Sequence, residues 1–304
     1  MDWGIHLPHL GREVGRKSLM TFAQEAERAG AHSVWVSDHL CWPADINSKY
    51  PYTDDGSFGP TPDMSWLEAI GTLTFLAGCT ETVRLGTSVL ILPYRPPVLC
   101  AKQLATLDVL SEGRLLLGVG VGWMAEEAAV LGMPWAQRGK RSDEYLALLN
   151  TLFTEHQPAF DGEFYRIPAV GFEPKPVQQP LPIWVGGNTP AAFRRVARFG
   201  HVYHAAFEPL ATVAAAWAQI HKACEAIKRD PAELSLSLRI YLDPASAMPT
   251  DKSIAGSRDQ MVDTINQLKE AGISHLMLDP VARGGIQGRQ DAFLEFMSQI
   301  APRV

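Results

Sequence analysis

Twice in this chain a helix-like stretch stops at Ala-Gly and yields to a short apolar run that ends in aspartate. Ala29-Gly30 leads into Ser33-Val-Trp-Val-Ser-Asp38, and Ala271-Gly272 leads into Ser274-His-Leu-Met-Leu-Asp279. A helix that ends at glycine and feeds a buried strand is the repeating unit of a parallel sheet, so its recurrence near both ends constrains the fold strongly. Short apolar segments alternate with longer amphipathic ones eight times, which predicts strands near 3–7, 33–37, 84–91, 114–119, 182–186, 201–205, 235–242 and 274–279. Between them, a helix over 16–29 carries Leu19, Ala23 and Ala26 on one face, and one over 258–271 opens with Ser257 and Gln260 at capping-box spacing. Eight such units make an α/β fold of the (β/α)8 TIM-barrel type. The 304 residues, 46% hydrophobic and 20% charged, suffice for one large core, so a single barrel domain over 1–304 is expected. Two connections, 40–63 and 158–181, exceed ordinary loop length and are read as insertions over the catalytic, C-terminal face.

Composition narrows the function. A net charge of -6 and the lack of a dense Lys/Arg run argue against nucleic acid as a partner. Cys41, Cys79, Cys100 and Cys224 form no Cys-x-x-Cys pair, which suits reduced thiols in the cytoplasm. No apolar run approaches the roughly 20 residues needed to span a bilayer, so a soluble cytoplasmic protein without membrane contact is expected.

In a barrel all strand C-termini open on one face, and the polar residues there share a pocket. Strand two runs out into Asp38, His39 and Trp42, an acid, an imidazole and an indole, which marks a place for catalysis; an ordinary loop with a surface histidine is the alternative. Thr87, Ser88 and Val89 lie in strand three, and strand four exits as Gly118-Val-Gly120-Val121-Gly122-Trp123. This is not a dinucleotide fingerprint, since it lacks the third glycine at its proper spacing and follows the fourth strand. Alternate residues without Cβ would let a flat cofactor ring lie on the main chain; a tight strand exit packed on a neighbour reads the same pattern structurally. After strand five, Gly186-Gly187-Asn188-Thr189-Pro190 builds a helix start with free amides, assigned to a cofactor phosphate, although capping alone accounts for Thr189 and Pro190. His204 follows in strand six. His6 and His9 stand three apart without a matching ligand set on later strands, so no metal site is expected and a metal-dependent hydrolase is the weaker reading.

These residues carry a resemblance. Ser37-Asp38-His39, Ser65-Trp66 opening a helix, Leu85-Gly86-Thr87-Ser88-Val89, Gly113-Arg114 before Leu117-Gly118-Val119-Gly120, Phe160-Asp-Gly-Glu-Phe-Tyr165, Pro182-Ile-Trp-Val-Gly-Gly187 and Ala301-Pro302-Arg303 appear in order along the whole chain. Together they resemble the luciferase-like monooxygenase superfamily, and within it the oxidoreductases that use coenzyme F420. The resemblance implies that Asp38 helps seat a deazaflavin ring and that His39 donates or accepts a proton. It implies a non-proline cis peptide at Ser88-Val89 against the ring, and phosphate contacts at Gly186 and Gly187. It also makes a homodimer the expected assembly. Trp42 matches the catalytic aromatic of the sugar-phosphate dehydrogenases less well, being closer to the histidine. Two departures count: Trp123 stands where those enzymes carry a catalytic glutamate, and Ala205-Ala206-Phe207-Glu208 stands near their first substrate-phosphate lysine. A phosphorylated sugar is therefore not expected, and Trp123, Trp42, Phe207, Tyr50 and Tyr52 suggest an aromatic-walled pocket for a flatter, less polar substrate. Glu126 and Glu127 are candidate acids near the pocket, although a helix N-terminus favours carboxylates there for structural reasons alone, the preferred reading. The expected activity is hydride transfer between F420 and a small organic molecule. Reduced FMN would instead make an oxygen-using monooxygenase fed by a separate flavin reductase, and a non-catalytic flavin-binding protein is a further alternative.

Overall fold

The computed structural model describes residues 1–304 apart from Asp54 and Ala247. Eight parallel strands follow one another around a closed sheet: β1 (Asp2–His6), β2 (Ser33–Val36), β3 (Arg84–Thr87), β4 (Leu115–Gly120), β5 (Ile183–Gly186), β6 (Val202–Ala206), β7 (Ser235–Asp243) and β8 (Ile273–Pro280). Each pairs with the next, and β8 pairs back to β1 through Asp2 opposite His275 and Ile5 opposite Leu278. Closure leaves no free edge, and the (β/α)8 expectation holds.

Helices α1 (Arg16–Arg28), α2 (Ala69–Ala77), α3 (Pro97–Leu110), α4 (Ala125–Val130), α5 (Arg138–Thr154), α6 (Pro190–Phe199), α7 (Leu210–Ala226), α8 (Arg258–Glu270) and α9 (Gly285–Gln299) surround the sheet. The two helices that first suggested the repeat behave as their sequences require. α1 buries Leu19, Phe22, Ala23 and Ala26, and α8 begins with Ser257 and Gln260 capping each other. Both are followed by a glycine in the left-handed region, Gly30 at φ +86° and Gly272 at φ +88°, where a Cβ would be strained. The main core lies between sheet and helices; a second cluster of Trp35, Leu116, Trp184, Val202 and Met277 fills the barrel interior. Trp35 occupies so much of that space that a Cβ on Gly86 would sit 2.1 Å from its ring.

The third strand departs from an unbroken run over 84–91. The Ser88–Val89 peptide is cis, as the resemblance implied, and the strand resumes only at Leu90–Ile91, which pairs with Val119 and Gly120 of β4. The second long connection also differs from expectation. Residues 158–181 join the end of α5 to the start of β5, which puts them at the opposite, N-terminal end of the barrel. Gln178 there donates to the Leu115 carbonyl at the start of β4, and Phe172 packs on Phe153. None of this segment lines the pocket described below; only 40–63, which connects a strand end to a helix start, covers the C-terminal face. Direction of travel decides this: in a barrel, β-to-α connections cross the top and α-to-β connections the bottom.

Candidate active site

A cavity of about 620 Å³ opens at the C-terminal face, a size suited to a tricyclic ring with a small second molecule beside it. Asp38, His39, Ser88, Val89, Gly120, Val121, Gly122, Trp123, Gly186, Gly187, Asn188 and Phe207, scattered over five strand ends, all border it. Thr87 and Trp42 do not. Thr87 is fully buried and donates to the Gly118 carbonyl at 2.7 Å, because its side chain alternates into the wall between β3 and β4. Trp42 stands behind the histidine, edge-on to His39 at 5.3 Å and stacked on Phe58 and Trp66, so it supports the wall without facing the cavity; Trp66 faces it instead.

His39 is the best-organised group on the rim. Its Nδ1 lies 2.6 Å from the Glu127 carboxylate, whose other oxygen accepts from the Leu40 N–H at 2.7 Å and the Cys41 N–H at 3.3 Å. Glu127 is completely buried and His39 nearly so. The carboxylate therefore fixes the imidazole with Nδ1–H inward and leaves Nε2, which has no partner among the described residues, to the cavity. Glu127 lies in the first turn of α4, where a helix start favours an acid, and it also orients the histidine. Its neighbour Glu126 accepts from the Asn47 and Ser48 amides and pins the 40–63 connection over the site.

Asp38 borders the cavity, and its carboxylate is held by neighbouring groups of the protein. Both its oxygens are held by Arg95, at 2.6 and 2.7 Å, and one also accepts from the Ile91 N–H at 2.9 Å. Arg95 reaches on to Glu68 at 2.6 Å, the residue that caps α2. Burial works against the guanidinium charge, but the two carboxylates outweigh it and hold Arg95 above its ordinary pKa. Asp38 thus clamps the end of β2 to the chain after the cis peptide, and its carboxylate is already committed.

The glycines of β4 likewise answer to the protein before any ligand. A Cβ on Gly118 would lie 1.8 Å from the Thr87 carbonyl, one on Gly120 2.5 Å from Val89, and one on Gly186 3.1 Å from Val89. They make room for the bulge at Ser88–Val89, so the tight-exit reading is correct for Gly118, while Gly120, Gly122 and Gly186 also border the cavity. Val89, raised on this bulge, offers an apolar platform.

Three arginines at the cavity had no sequence signal. Arg239 pairs with Asp279, reaches the Ser37 hydroxyl at 3.2 Å and lies over the Phe207 ring at 4.8 Å. Arg138 and Arg195 border the cavity along with the Gly186–Thr189 turn, Arg195 being paired with Asp143 at 2.6 Å. At that turn Thr189 caps α6 by accepting from the Ala192 N–H, Gly187 takes φ +108°, and the Asn188 amide is used by Glu208 at 3.1 Å. His6 borders the cavity with Nε2 2.9 Å from Ser37 Oγ and with Nδ1 buried, 3.7 Å from the Asp279 carboxylate and without a hydrogen-bond partner among the described residues. Burial, then the charges of Arg239 and the neighbouring His9, hold its pKa well below the usual value, so it is neutral at pH 7. His9 has both ring nitrogens against carbonyl oxygens of Leu7 and Ser37. The aromatic wall anticipated from Trp123, Tyr50, Tyr52 and Phe207 is present, joined by Phe58.

A family profile described as luciferase-like monooxygenase matches residues 5–247. The chain belongs to that family. An uncharacterised protein of Mycobacterium tuberculosis is 40% identical over 187 residues, covering 62% of this chain and 65% of that protein. An F420-dependent glucose-6-phosphate dehydrogenase of Amycolatopsis mediterranei is 32% identical over 192 residues, covering 62% of this chain and 53% of that enzyme. The alignments thus span between about half and two thirds of these relatives' own lengths. Among solved structures, an F420-dependent secondary alcohol dehydrogenase superposes with a TM-score of 0.80 at 18% identity, over 100% of this chain and 98% of that one, a likeness of fold. No described helix is long and apolar enough to cross a membrane.

Proposed function

We propose that this protein is an oxidoreductase that seats the flat ring of coenzyme F420 on the Val89 bulge and passes a hydride between it and a small organic substrate, while His39 exchanges the accompanying proton. The observation that carries the reading is the His39–Glu127 pair, a buried carboxylate 2.6 Å behind an imidazole whose other nitrogen faces the cavity. The same arrangement of acid behind base serves proton transfer in other enzymes, because the carboxylate selects the tautomer and stabilises the imidazolium.

The residues fit such a coenzyme in type. The platform is apolar, the glycines keep the wall thin, and Arg138, Arg195 and the Gly186–Thr189 turn offer positive charge and amides to a phosphate. A bound deazaflavin supplies or accepts the hydride. His39 Nε2 then takes the proton of an alcohol-like substrate or returns it to a carbonyl, the aromatic wall of Tyr50, Phe58 and Trp123 excludes water, and Arg239 polarises groups near Ser37. The relationship to an F420-dependent glucose-6-phosphate dehydrogenase supports the coenzyme. Its substrate does not transfer: the chain offers Phe207 and Glu208 after β6 and Trp123 after β4, which favours a neutral, flatter molecule. A homodimer in the cytoplasm is part of the same proposal.

A second reading, a monooxygenase using reduced FMN from a separate reductase, is favoured by the description of the matching family and by the aromatic wall of the cavity. Titration of the purified protein with F420 and with FMN separates the two. Quenching of deazaflavin fluorescence, with oxidation of alcohols or reduction of carbonyls, is the expected result; binding of FMN with no response to F420 would sink the hydride reading.

A further inference from the structure

Below the cavity floor an unbroken chain of five hydrogen bonds runs through the barrel interior. Trp35 Nε1 meets Ser33 Oγ at 2.8 Å, Ser33 Oγ meets His275 Nε2 at 2.9 Å, and His275 Nδ1 meets Ser237 Oγ at 3.0 Å. Ser237 Oγ then meets His204 Nδ1 at 3.0 Å, and His204 Nε2 meets Ser88 Oγ at 3.0 Å. All six residues are buried, and Ser88 alone of the three serines borders the cavity. Each hydroxyl in this chain has no other partner among the described residues.

We propose that this chain has one direction, set at Trp35, and that it turns the Ser88 hydroxyl into a fixed hydrogen-bond donor to whatever lies on the Val89 platform. An indole N–H can only donate. Ser33 accepts it and has a single proton, whose one available acceptor is His275 Nε2. His275 must then carry its proton on Nδ1 and give it to Ser237; Ser237 gives its own to His204 Nδ1; His204 donates from Nε2 to Ser88. One Ser88 lone pair is thereby used, and its proton, which has no acceptor in the chain of bonds, is turned to the cavity. The opposite sense also forms five bonds, but it makes Ser33 accept twice and strands its proton in a sealed interior, a cost the first arrangement avoids because its one free proton faces an open site. Both histidines are neutral and so carry one N–H each: burial first, and for His204 the charge of Arg239, take His204 down to about 3, and burial with the neighbouring histidines takes His275 well below its usual value.

The consequence is a demand on the ligand. A molecule seated at Ser88 meets a hydroxyl proton with no acceptor inside the protein, so an acceptor there, a ring carbonyl oxygen or an unprotonated ring nitrogen, is the partner that satisfies it. Ser33, Ser237, His204 and His275 are positioning residues in this scheme, acting through Ser88. The identity of the ligand as a deazaflavin or flavin rests on the function proposed above; the direction of the chain does not.

Two measurements test it. In nitrogen-15 spectra of histidine-labelled, ligand-free protein, His275 should be the Nδ1–H tautomer and His204 the Nε2–H tautomer. The reverse pair of tautomers, or protonation of both nitrogens of either ring at pH 7, overturns the proposal. In Ser33→Ala the bias is removed, so His204 should become a mixture of tautomers, with Ser33→Thr restoring the single form; a His204 that stays wholly Nε2–H in Ser33→Ala overturns the assignment of the direction to the Trp35 end. Affinity for F420 or FMN, whichever the wild-type protein binds, should fall about tenfold in Ser88→Ala, the loss of one hydrogen bond; an unchanged affinity overturns the donor role. If the wild-type protein binds neither probe, the coenzyme reading fails, while the tautomer spectrum still decides the direction.

Discussion

At the scale of single residues, the chemistry depends on what stands behind His39. An imidazole on a rim is common, but one whose Nδ1 is tied to a wholly buried carboxylate has its free nitrogen aimed by the protein. Replacing His39 by Ala should lower kcat by about 100-fold or more and leave coenzyme affinity within about twofold, if its work is proton transfer. Glu127→Gln keeps an oxygen to accept from the Leu40 amide but loses the charge that stabilises the imidazolium, so a fall in kcat of roughly 10- to 100-fold with an intact fold is expected. Steady-state kinetics with titrated coenzyme checks both; parallel losses of kcat and affinity would make His39 a binding residue. The histidine was legible because a strand that ends in Asp-His breaks its own apolar pattern. Glu127 was not, because it lies 88 positions away and an acid in the first turn of a helix already has a sufficient structural reason to be there.

At the scale of elements, the site is held by the Asp38–Arg95–Glu68 clamp, which joins the end of β2, the chain after the cis peptide and the start of α2. Arg95→Met removes the partner of a buried aspartate and should cost about 3–5 kcal/mol, read as a lower urea midpoint, whereas a pair of no structural weight would leave the midpoint unmoved. The strand positions could be read in advance because each is a short apolar run, β2 and β8 following a glycine that ends a helix, and barrel geometry then placed their C-termini together. What could not be read was the traffic between elements. The glycines after β4 suggested room for a ring, yet Gly118 and Gly120 are small first because Thr87 and Val89 press on them. The connection 158–181 has the length and aromatic content of a lid but follows a helix, so it closes the bottom of the barrel. The connection whose described residues border the cavity is 40–63, tied down at Asn47 and Ser48 by Glu126.

At the scale of the whole molecule, the barrel interior is unusual in being lined by neutral histidines as well as by indoles. His6, His9, His204 and His275 are each at most 5% exposed, and burial is the main cause of every one of their depressed pKa values, with His9 near 4 and His204 near 3. In the unfolded chain each titrates near 6.5. Between those values the unfolded state binds protons that the folded state refuses, so stability rises with pH across that window. The contribution is fully present above about 6.5 and drains away as pH falls toward 4 and 3. By pH 5.5 His9 and His204 each cost about 1.4 kcal/mol relative to pH 7.5, and His6 and His275 act in the same direction, against a fold whose total is on the order of 10 kcal/mol. Ordinary carboxylates titrate near 4, below this window, and His32 and His201, whose pKa values burial also lowers, add in the same direction. Urea unfolding at pH 7.5, 6.5 and 5.5 should therefore show a midpoint that falls over both steps, about three times as far over the second as over the first. A flat profile down to pH 5.5 would mean that the interior histidines accept protons in the folded state, and the one-way hydrogen-bond chain beneath Ser88 could not then exist as drawn.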